Sequence, residues 1–167
     1  GETIATMCLT EPSAGSDLSR ITCRAVPDGA QWQISGEKIF ISGGDQDISD
    51  EILHLVLART SDNGVKGLSL FLCPSTKTDG TRNAVKVTRI EEKMGLHASP
   101  TCQMLFDGAQ AELIGEEGRG LAAMFTMMNH ARGDVALQGV AHAARAYQIA
   151  ATYAADRVQG RLSDGSP

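Results

Sequence analysis

The sequence predicts a mainly β domain, a barrel or sandwich, followed by a long α-helical segment. Up to about residue 114, short β-rich runs alternate with turn signals, which is typical of a sandwich or barrel. After the GRG sequence at 118–120, the apolar period changes from two residues to about 3.6, as in a helix. We therefore expect a β-domain over residues 1–115 and a helical segment over 116–167.

Turn residues divide the β-domain into nine predicted strands. Pro, Asp and Gly at 27–29 favour a tight reversal, since Pro presets φ and Gly accepts a positive φ. Ser, Gly and Glu at 35–37 are expected to make a second reversal, and the polar residues 75–82 an exposed loop. The predicted strands are residues 4–10, 19–26, 31–35, 37–41, 52–59, 68–73, 84–91, 101–106 and 111–114.

The helical segment carries an apolar stripe. Leu121, Met124, Phe125 and Met128 fall on one face, and the pattern fits either one long helix or two helices joined near Gly133. The stripe continues through Ala136, Val140, Ala143, Tyr147, Ala150 and Ala154. Because other helices must cover this Ala-rich face, we expect a truncated helical-bundle domain or obligate oligomerisation.

Composition excludes several classes of function. The 167 residues carry a net charge of −5 without basic clusters, which argues against nucleic acid as a partner. No apolar run approaches the roughly 18 residues that cross a bilayer, and the N-terminus lacks a signal-peptide pattern. We therefore expect no membrane insertion and a location in the cytoplasm of a bacterium or in the mitochondrial matrix.

The cysteine pattern indicates neither a metal site nor a disulfide framework. Cys8, Cys23, Cys73 and Cys102 are irregularly spaced, with no C-x-x-C and no nearby His pair, so they are predicted to be buried, reduced thiols. No G-x-G-x-x-G sequence follows a strand, so a Rossmann dinucleotide site is not indicated.

The most informative segment is residues 7–17, MCLTEPSAGSD. An apolar strand end enters a turn of Pro, Gly and hydroxyl residues, which presents unpaired N–H groups and hydroxyls where the sheet stops. Thr10 and Ser16 flank this turn, and Gly15 lets the backbone approach a ligand closely. The residues therefore predict a cradle for an anionic or heteroaromatic ligand, with an ordinary polar turn as the alternative.

This segment closely resembles the T-E-P-x-A-G-S-D signature of the flavin-dependent acyl-CoA dehydrogenases. Residues 38–44, KIFISGG, resemble the K-x-W-I-T-N-G sequence of the same family, with Phe40 in place of Trp and Ser42 in place of Thr. The resemblance runs from residue 5 to residue 161 and implies the family's middle β-domain and the first helix of its C-terminal α-domain. A long bacterial branch of the family is most similar at residues 38–43, 54–59, 124–129 and 157–161.

The resemblance implies FAD as the cofactor. Main-chain and hydroxyl groups of the first motif would form hydrogen bonds with the pyrimidine side of the flavin. The Phe40 ring would pack on its dimethylbenzene side, and Ser42 would donate toward N5. The implied flavin residues are Met7, Leu9, Thr10, Gly15, Ser16, Phe40, Ile41 and Ser42.

The resemblance also implies acyl-CoA contacts. Ser16 would lie near the pantetheine and phosphate portion, and Asn129 and Arg132, three residues apart on the helix, would contact the CoA. Arg157 and Gln159 would reach the FAD pyrophosphate of a neighbouring subunit, although Gly follows Gln159 where many relatives carry Phe. A solvated helix face and a basic helix end are the alternatives.

The implied reaction is α,β-dehydrogenation of an acyl-CoA thioester. The family's base is a Glu in the C-terminal helical domain, so no catalytic residue is expected in this chain, which alone should be inactive. The implied partners are an electron-transfer flavoprotein and identical subunits, in a homodimer or homotetramer. Alternatives are an acyl-CoA oxidase or flavin monooxygenase of the same architecture, or a non-catalytic acyl-CoA- or protein-binding β-domain.

Overall fold

The computed structural model describes residues 2–161 and 163–165. Its contacts divide the chain into two compact units, one up to residue 125 and one from residue 126 onwards. Short 3₁₀ turns cover Leu18–Arg20 and Gly64–Gly67. The strands and the helix are β1 Thr3–Cys8, β2 Arg24–Asp28, β3 Gln31–Ser42, β4 Glu51–Arg59, β5 Leu68–Pro74, β6 Val85–Ile90, β7 Thr101–Ile114 and α1 Gly120–Asp156.

Five of these strands close into a barrel. They follow the order β4, β2, β3, β7, β5, and β5 pairs again with β4. Strand β1 adds to β4 in parallel, while β6 adds to β7 in antiparallel orientation. The prediction of a mainly β fold followed by a long helix is therefore confirmed.

The core lies inside the barrel and is mainly aliphatic and aromatic. Phe71 and Phe106 are fully buried, and the Trp32 ring lies 5.3 Å from that of Phe71. All four cysteines are free and buried, as predicted. Burial raises the pKa of the Cys8 and Cys73 thiols to about 12, so these thiols stay protonated at neutral pH.

The predicted reversal at residues 35–37 is wrong, because β3 runs through it without a break. Gly36 has a φ of +145°, and a Cβ added there would lie 2.7 Å from the Cα of Cys23. Gly is therefore placed here by the close approach of another backbone, not by a turn. The reversal at residues 27–29 is confirmed, since β2 and β3 form a hairpin around Gly29, whose φ is +62°.

Three other predicted strands differ clearly in their bounds from the observed strands. Residues 101–106 and 111–114 belong to one strand, β7, in which Gly108 forms a bulge at a φ of +71°. The strand predicted from residue 19 begins only at Arg24. Asp17 accepts a hydrogen bond from the Ser19 N–H at 3.1 Å and starts a 3₁₀ turn there instead.

Helix α1 continues through Gly133 without interruption, so the two-helix alternative is wrong. In the first unit its start is buried: a Cβ on Gly120 would lie 2.3 Å from the carbonyl carbon of Ser69, and Met124 is fully covered. In the second unit, residues 129–156 are exposed. Among the residues described, no helix combines the length and the apolarity needed to cross a membrane.

Candidate functional site

The bend after β1 is a tight two-residue reversal. Glu11 and Ala14 exchange backbone hydrogen bonds, with N–O distances of 3.0 and 3.1 Å, and Pro and Ser occupy the tip. The N–H that Pro lacks is not needed at this position. A Cβ on Gly15 would lie 3.8 Å from Cγ2 of Thr10, so these two predicted site residues are neighbours.

Strand β3 is irregular where the second motif lies. Lys38 is opposite Met104 and Ile41 is opposite Cys102, so two residues of β3 bulge against one of β7. One of the two is Phe40, which has a φ of +60° and a side chain that is 61% exposed. A bulky residue in the left-handed region costs roughly 1–2 kcal/mol, and such strain clusters at ligand sites. The bulge turns an aromatic ring toward solvent at the end of the strand.

The two motifs lie side by side. The Ile39 N–H donates to the Thr10 carbonyl at 2.9 Å, and the Lys38 ammonium donates to the Leu9 carbonyl at 3.0 Å. Ser42 is only three residues beyond Ile39 on the same strand. The bend and the end of β3 therefore form one continuous edge of the barrel.

A buried ion pair joins the two motifs. Lys38 Nζ lies 2.9 Å from Glu11 Oε1, and the two side chains are 0% and 2% exposed. The Glu11 carboxylate also accepts hydrogen bonds from the Thr22 N–H at 2.7 Å, the Thr22 hydroxyl at 2.8 Å and the Cys23 N–H at 3.0 Å. Burial raises the pKa of Glu11, but the Lys38 ammonium and the Thr22 donors outweigh it, so this pKa lies below its ordinary value.

Sequence reasoning assigned no role to Glu11 or Lys38. A signal was available, because Lys38 is the one charged residue among residues 38–44 and Glu11 directly follows the apolar strand end of the other motif. A charge at such a position is buried only with a partner. Which partner it finds depends on strand pairing, which the sequence does not show.

An apolar surface lies on the outer face of the sheet beside the bend. Met7 of β1 is opposite Leu55 of β4, which in turn is opposite Leu72 of β5. All three side chains are half-buried, whereas the next row along each strand lies in the core. Leu9 is half-buried too. The site therefore combines a flat apolar face with hydroxyls and main-chain groups at the strand ends.

The remaining predicted flavin residues differ in how far their side chains are exposed to solvent. Ser16 and Ser42 are exposed, and Thr10 is half-buried. Ile41 is only 1% exposed, with its side chain in the core, so only its main chain can reach a ligand at this edge.

The other predicted residues belong to the second unit, where they form two pairs. Arg132 Nη1 donates to Asn129 Oδ1 at 3.0 Å, and both side chains are exposed. Arg157 Nε donates to Gln159 Oε1 at 3.4 Å, just after α1 ends. Across residues 2–161 and 163–165, no three His, Cys, Asp or Glu side chains are grouped to hold a metal ion.

Comparison with known proteins identifies the family. Residues 6–109 match the model of the acyl-CoA dehydrogenase middle domain. A 3-methylmercaptopropionyl-CoA dehydrogenase of Ruegeria pomeroyi is 52% identical over 99% of this chain and 30% of its own length. The broad-specificity linear acyl-CoA dehydrogenase FadE5 of Mycobacterium tuberculosis is 43% identical over 93% of this chain and 28% of its own length.

The fold agrees with these sequence matches. The crystal structure of a probable acyl-CoA dehydrogenase from Mycobacterium abscessus superposes with a TM-score of 0.77 at 29% identity, covering 93% of this chain and 40% of that one. This chain spans about 30% of the length of the curated relatives just described. With a matched middle-domain model and relatives that align along nearly all of its residues, the chain belongs to the acyl-CoA dehydrogenase family.

Proposed function

We propose that this chain is part of an FAD-dependent acyl-CoA dehydrogenase that catalyses α,β-dehydrogenation of an acyl-CoA thioester. Its β-domain binds the flavin and part of the substrate. The observation that carries this proposal is the hydrogen bond between the Ile39 N–H and the Thr10 carbonyl, which joins the two motifs at one edge. The proposed compartment is the bacterial cytoplasm.

The edge suits a flavin, which has an apolar dimethylbenzene side and a polar pyrimidine side. The row of Met7, Leu55 and Leu72 offers an apolar face to a flat ring, and the exposed Phe40 ring adds an aromatic contact. The Thr10 hydroxyl and the hydroxyl and N–H of Ser42 supply polar contacts at the strand ends. When bound, FAD supplies a hydride acceptor, and the residues of this chain orient it.

Smaller contributions complete the proposed flavin site. Gly15 and Ser16 border the bend, where the absence of a side chain at Gly15 leaves room for a ring edge beside Thr10. Leu9 extends the apolar face, and Ile41 contributes its main chain, since its side chain is buried.

Substrate contacts are proposed for Ser16, Asn129 and Arg132. A guanidinium binds phosphate oxygens through two parallel hydrogen bonds, which suits the anionic end of CoA. Asn129 accepts a hydrogen bond from Arg132 Nη1 and so orients the guanidinium fork on the exposed helix face. These two residues hold the CoA while the β-domain holds the flavin.

The complete enzyme needs groups that this chain does not supply. We place the catalytic Glu outside these residues, in the C-terminal helical domain. Arg157 and Gln159 are proposed to reach the FAD pyrophosphate of a neighbouring subunit in a homodimer or homotetramer. An electron-transfer flavoprotein is the proposed electron acceptor.

The absorption spectrum of the full-length protein as purified tests the proposal. We expect the two visible bands of oxidised flavin, and bleaching of the longer-wavelength band when a saturated acyl-CoA is added. Thr10→Ala should weaken FAD binding, whereas Ser13→Ala, at the exposed tip of the bend, should not. A protein that neither contains nor binds FAD would contradict the proposal. Rapid oxygen consumption without an added electron acceptor would favour the oxidase alternative.

A further inference from the structure

We propose that the buried Glu11–Lys38 ion pair is a positioning device that sets the placement of the two flavin-binding segments relative to each other. The inference rests on the proposed function, because it concerns how the flavin edge is held. Neither side chain is exposed, so neither is proposed to touch the flavin. Both act through the main chain of the residues beside them.

The contacts of the pair show how the segments are joined. The Lys38 ammonium donates to the Leu9 carbonyl and to Glu11 Oε1, so one side chain of β3 holds the bend at two places. The Glu11 carboxylate in turn binds donors of Thr22 and Cys23, in the segment that precedes β2. Three separate segments therefore meet at one buried pair of charges.

The Glu11–Lys38 ion pair lies, through Lys38, close in sequence to Phe40, the residue with the strained backbone. Lys38 comes immediately before the bulge that carries Phe40, and Ile41, just after it, is buried in the core. A left-handed backbone at a bulky residue persists only when the surrounding structure fixes it on both sides. The ion pair supplies the anchor on one side, and the burial of Ile41 supplies the other.

Energetics favour a positioning role over a purely stabilising one. A buried ion pair loses solvation that its mutual attraction repays only in good geometry, and apolar residues of similar volume often serve a core equally well. Contacts between apolar side chains are not directional, so they allow the packed segments to shift slightly relative to each other. Hydrogen bonds are directional and restrict such shifts. Leu9, Thr10 and Ile39 are the residues whose positions such shifts would change.

The test uses the full-length protein and the double variant Glu11→Gln/Lys38→Met. Gln keeps an oxygen for the Thr22 N–H and hydroxyl, which bind Oε2 of Glu11, but its amide nitrogen replaces Oε1, the acceptor of the Cys23 N–H. Met keeps most of the volume of Lys, so the core stays filled without charge. Because the Cys23 N–H and the Leu9 carbonyl each lose a partner, we expect a folded protein with a somewhat lower melting temperature, FAD binding weakened by about tenfold or more, and faster amide hydrogen exchange in residues 36–42.

A matched control removes an exposed ion pair. Arg24 and Asp62 are paired at 2.8 Å on the surface of the same unit, with side chains 57% and 79% exposed. The double variant Arg24→Ala/Asp62→Ala should leave FAD affinity and the exchange of residues 36–42 unchanged, because this pair is screened by solvent and lies outside the flavin edge.

Each outcome decides the inference. If the double variant binds FAD as tightly as the wild type and exchanges at the same rate, the pair is only structural and the proposed function stands. If the wild type itself binds no FAD, both proposals fail. If the double variant does not fold, Glu11→Asp replaces it, since it keeps the charge and withdraws the carboxylate by one methylene. Weaker FAD binding by this variant supports the inference, and unchanged binding overturns it.

Discussion

Phe40 and Leu96 hold backbone conformations that are unfavourable for their side chains. Their φ angles are +60° and +54°, and both side chains are exposed. Because neither side chain is buried, burial of these two residues does not offset the free-energy cost of their backbone conformations. Other interactions of the fold must offset this cost. Phe40 lies at the proposed flavin edge, whereas Leu96 lies in the loop between β6 and β7. The two residues thus offer a comparison between strain at the proposed flavin edge and strain outside it.

We predict that Phe40→Asn stabilises the protein by about 1 kcal/mol, because Asn tolerates the left-handed region, but weakens FAD binding because the aromatic ring is lost. Leu96→Asn should give a similar gain in stability with unchanged FAD affinity. Urea unfolding and FAD titration of the full-length protein measure both effects. Unchanged FAD affinity in Phe40→Asn would show that its ring makes no contact with the flavin.

His54 is a buried base inside the barrel. It is 1% exposed, its Nδ1 lies 2.8 Å from the Thr6 hydroxyl oxygen, and its ring meets that of Phe106 edge-on. Burial, together with the positive charge of Arg82, lowers the pKa of His54 from 6.5 to about 4. The folded protein therefore keeps this imidazole neutral where the unfolded chain would protonate it.

This difference predicts a pH dependence of stability. As the pH falls from 6.5 to about 4, the unfolded state binds a proton that the folded state does not, so the free energy of unfolding falls. The expected slope is at most about 1.4 kcal/mol per pH unit. His54→Gln should reduce the slope in this range, and His97→Gln, at an exposed position, should not. Identical slopes for the wild type and His54→Gln would contradict the assignment.

At the scale of elements, β3 depends on Gly36, which allows its backbone to approach the backbone of Cys23 closely. We predict that Gly36→Ala destabilises the protein by about 3 kcal/mol or more, because its Cβ would lie 2.7 Å from the Cα of Cys23 at an unfavourable φ. Gly95→Ala should change the stability by less than about 0.5 kcal/mol, since no atom lies within 4 Å of its Cβ position. Chemical denaturation compares the two variants. Equal stabilities would mean that the Cys23 backbone, just before β2, can move away from β3 without a loss of stability.

At the scale of the whole molecule, the second unit presents apolar side chains on its helix. Val135, Leu137, Val140 and Tyr147 are each at least 65% exposed. Exposed apolar side chains of this number are typical of a helix that other protein segments cover. Since this chain spans about 30% of the length of its curated relatives, the remainder of a longer protein is the proposed cover.

We predict that the 167-residue chain alone will not oxidise an acyl-CoA with a dye as electron acceptor, while the full-length protein will. The physical reason is that the carboxylate base and much of the substrate pocket are proposed to lie outside these residues. Both proteins should be assayed at equal concentration with added FAD. Turnover by the short chain would place a base within it and would overturn this assignment.

The sequence by itself determined the class of fold, the hairpin around residues 27–29 and the two motifs. These features depend on local chemistry, such as the fixed φ of Pro, the freedom of Gly and the change in apolar period. The same local rules misread Gly36 and the interruption at Gly108, because a glycine in a turn looks the same in the sequence as a glycine at a close backbone approach or in a strand bulge.

Only the tertiary structure decided which residues of the two motifs meet. Strand pairing puts the Thr10 carbonyl against the Ile39 N–H and encloses Glu11 with Lys38, which are 27 residues apart. It also turns Ile41 into the core and Phe40 out of it, since a bulge interrupts the alternation that the sequence suggests. Such contacts depend on which distant strands pair, and a local pattern sets the two faces of a strand but does not name its partner.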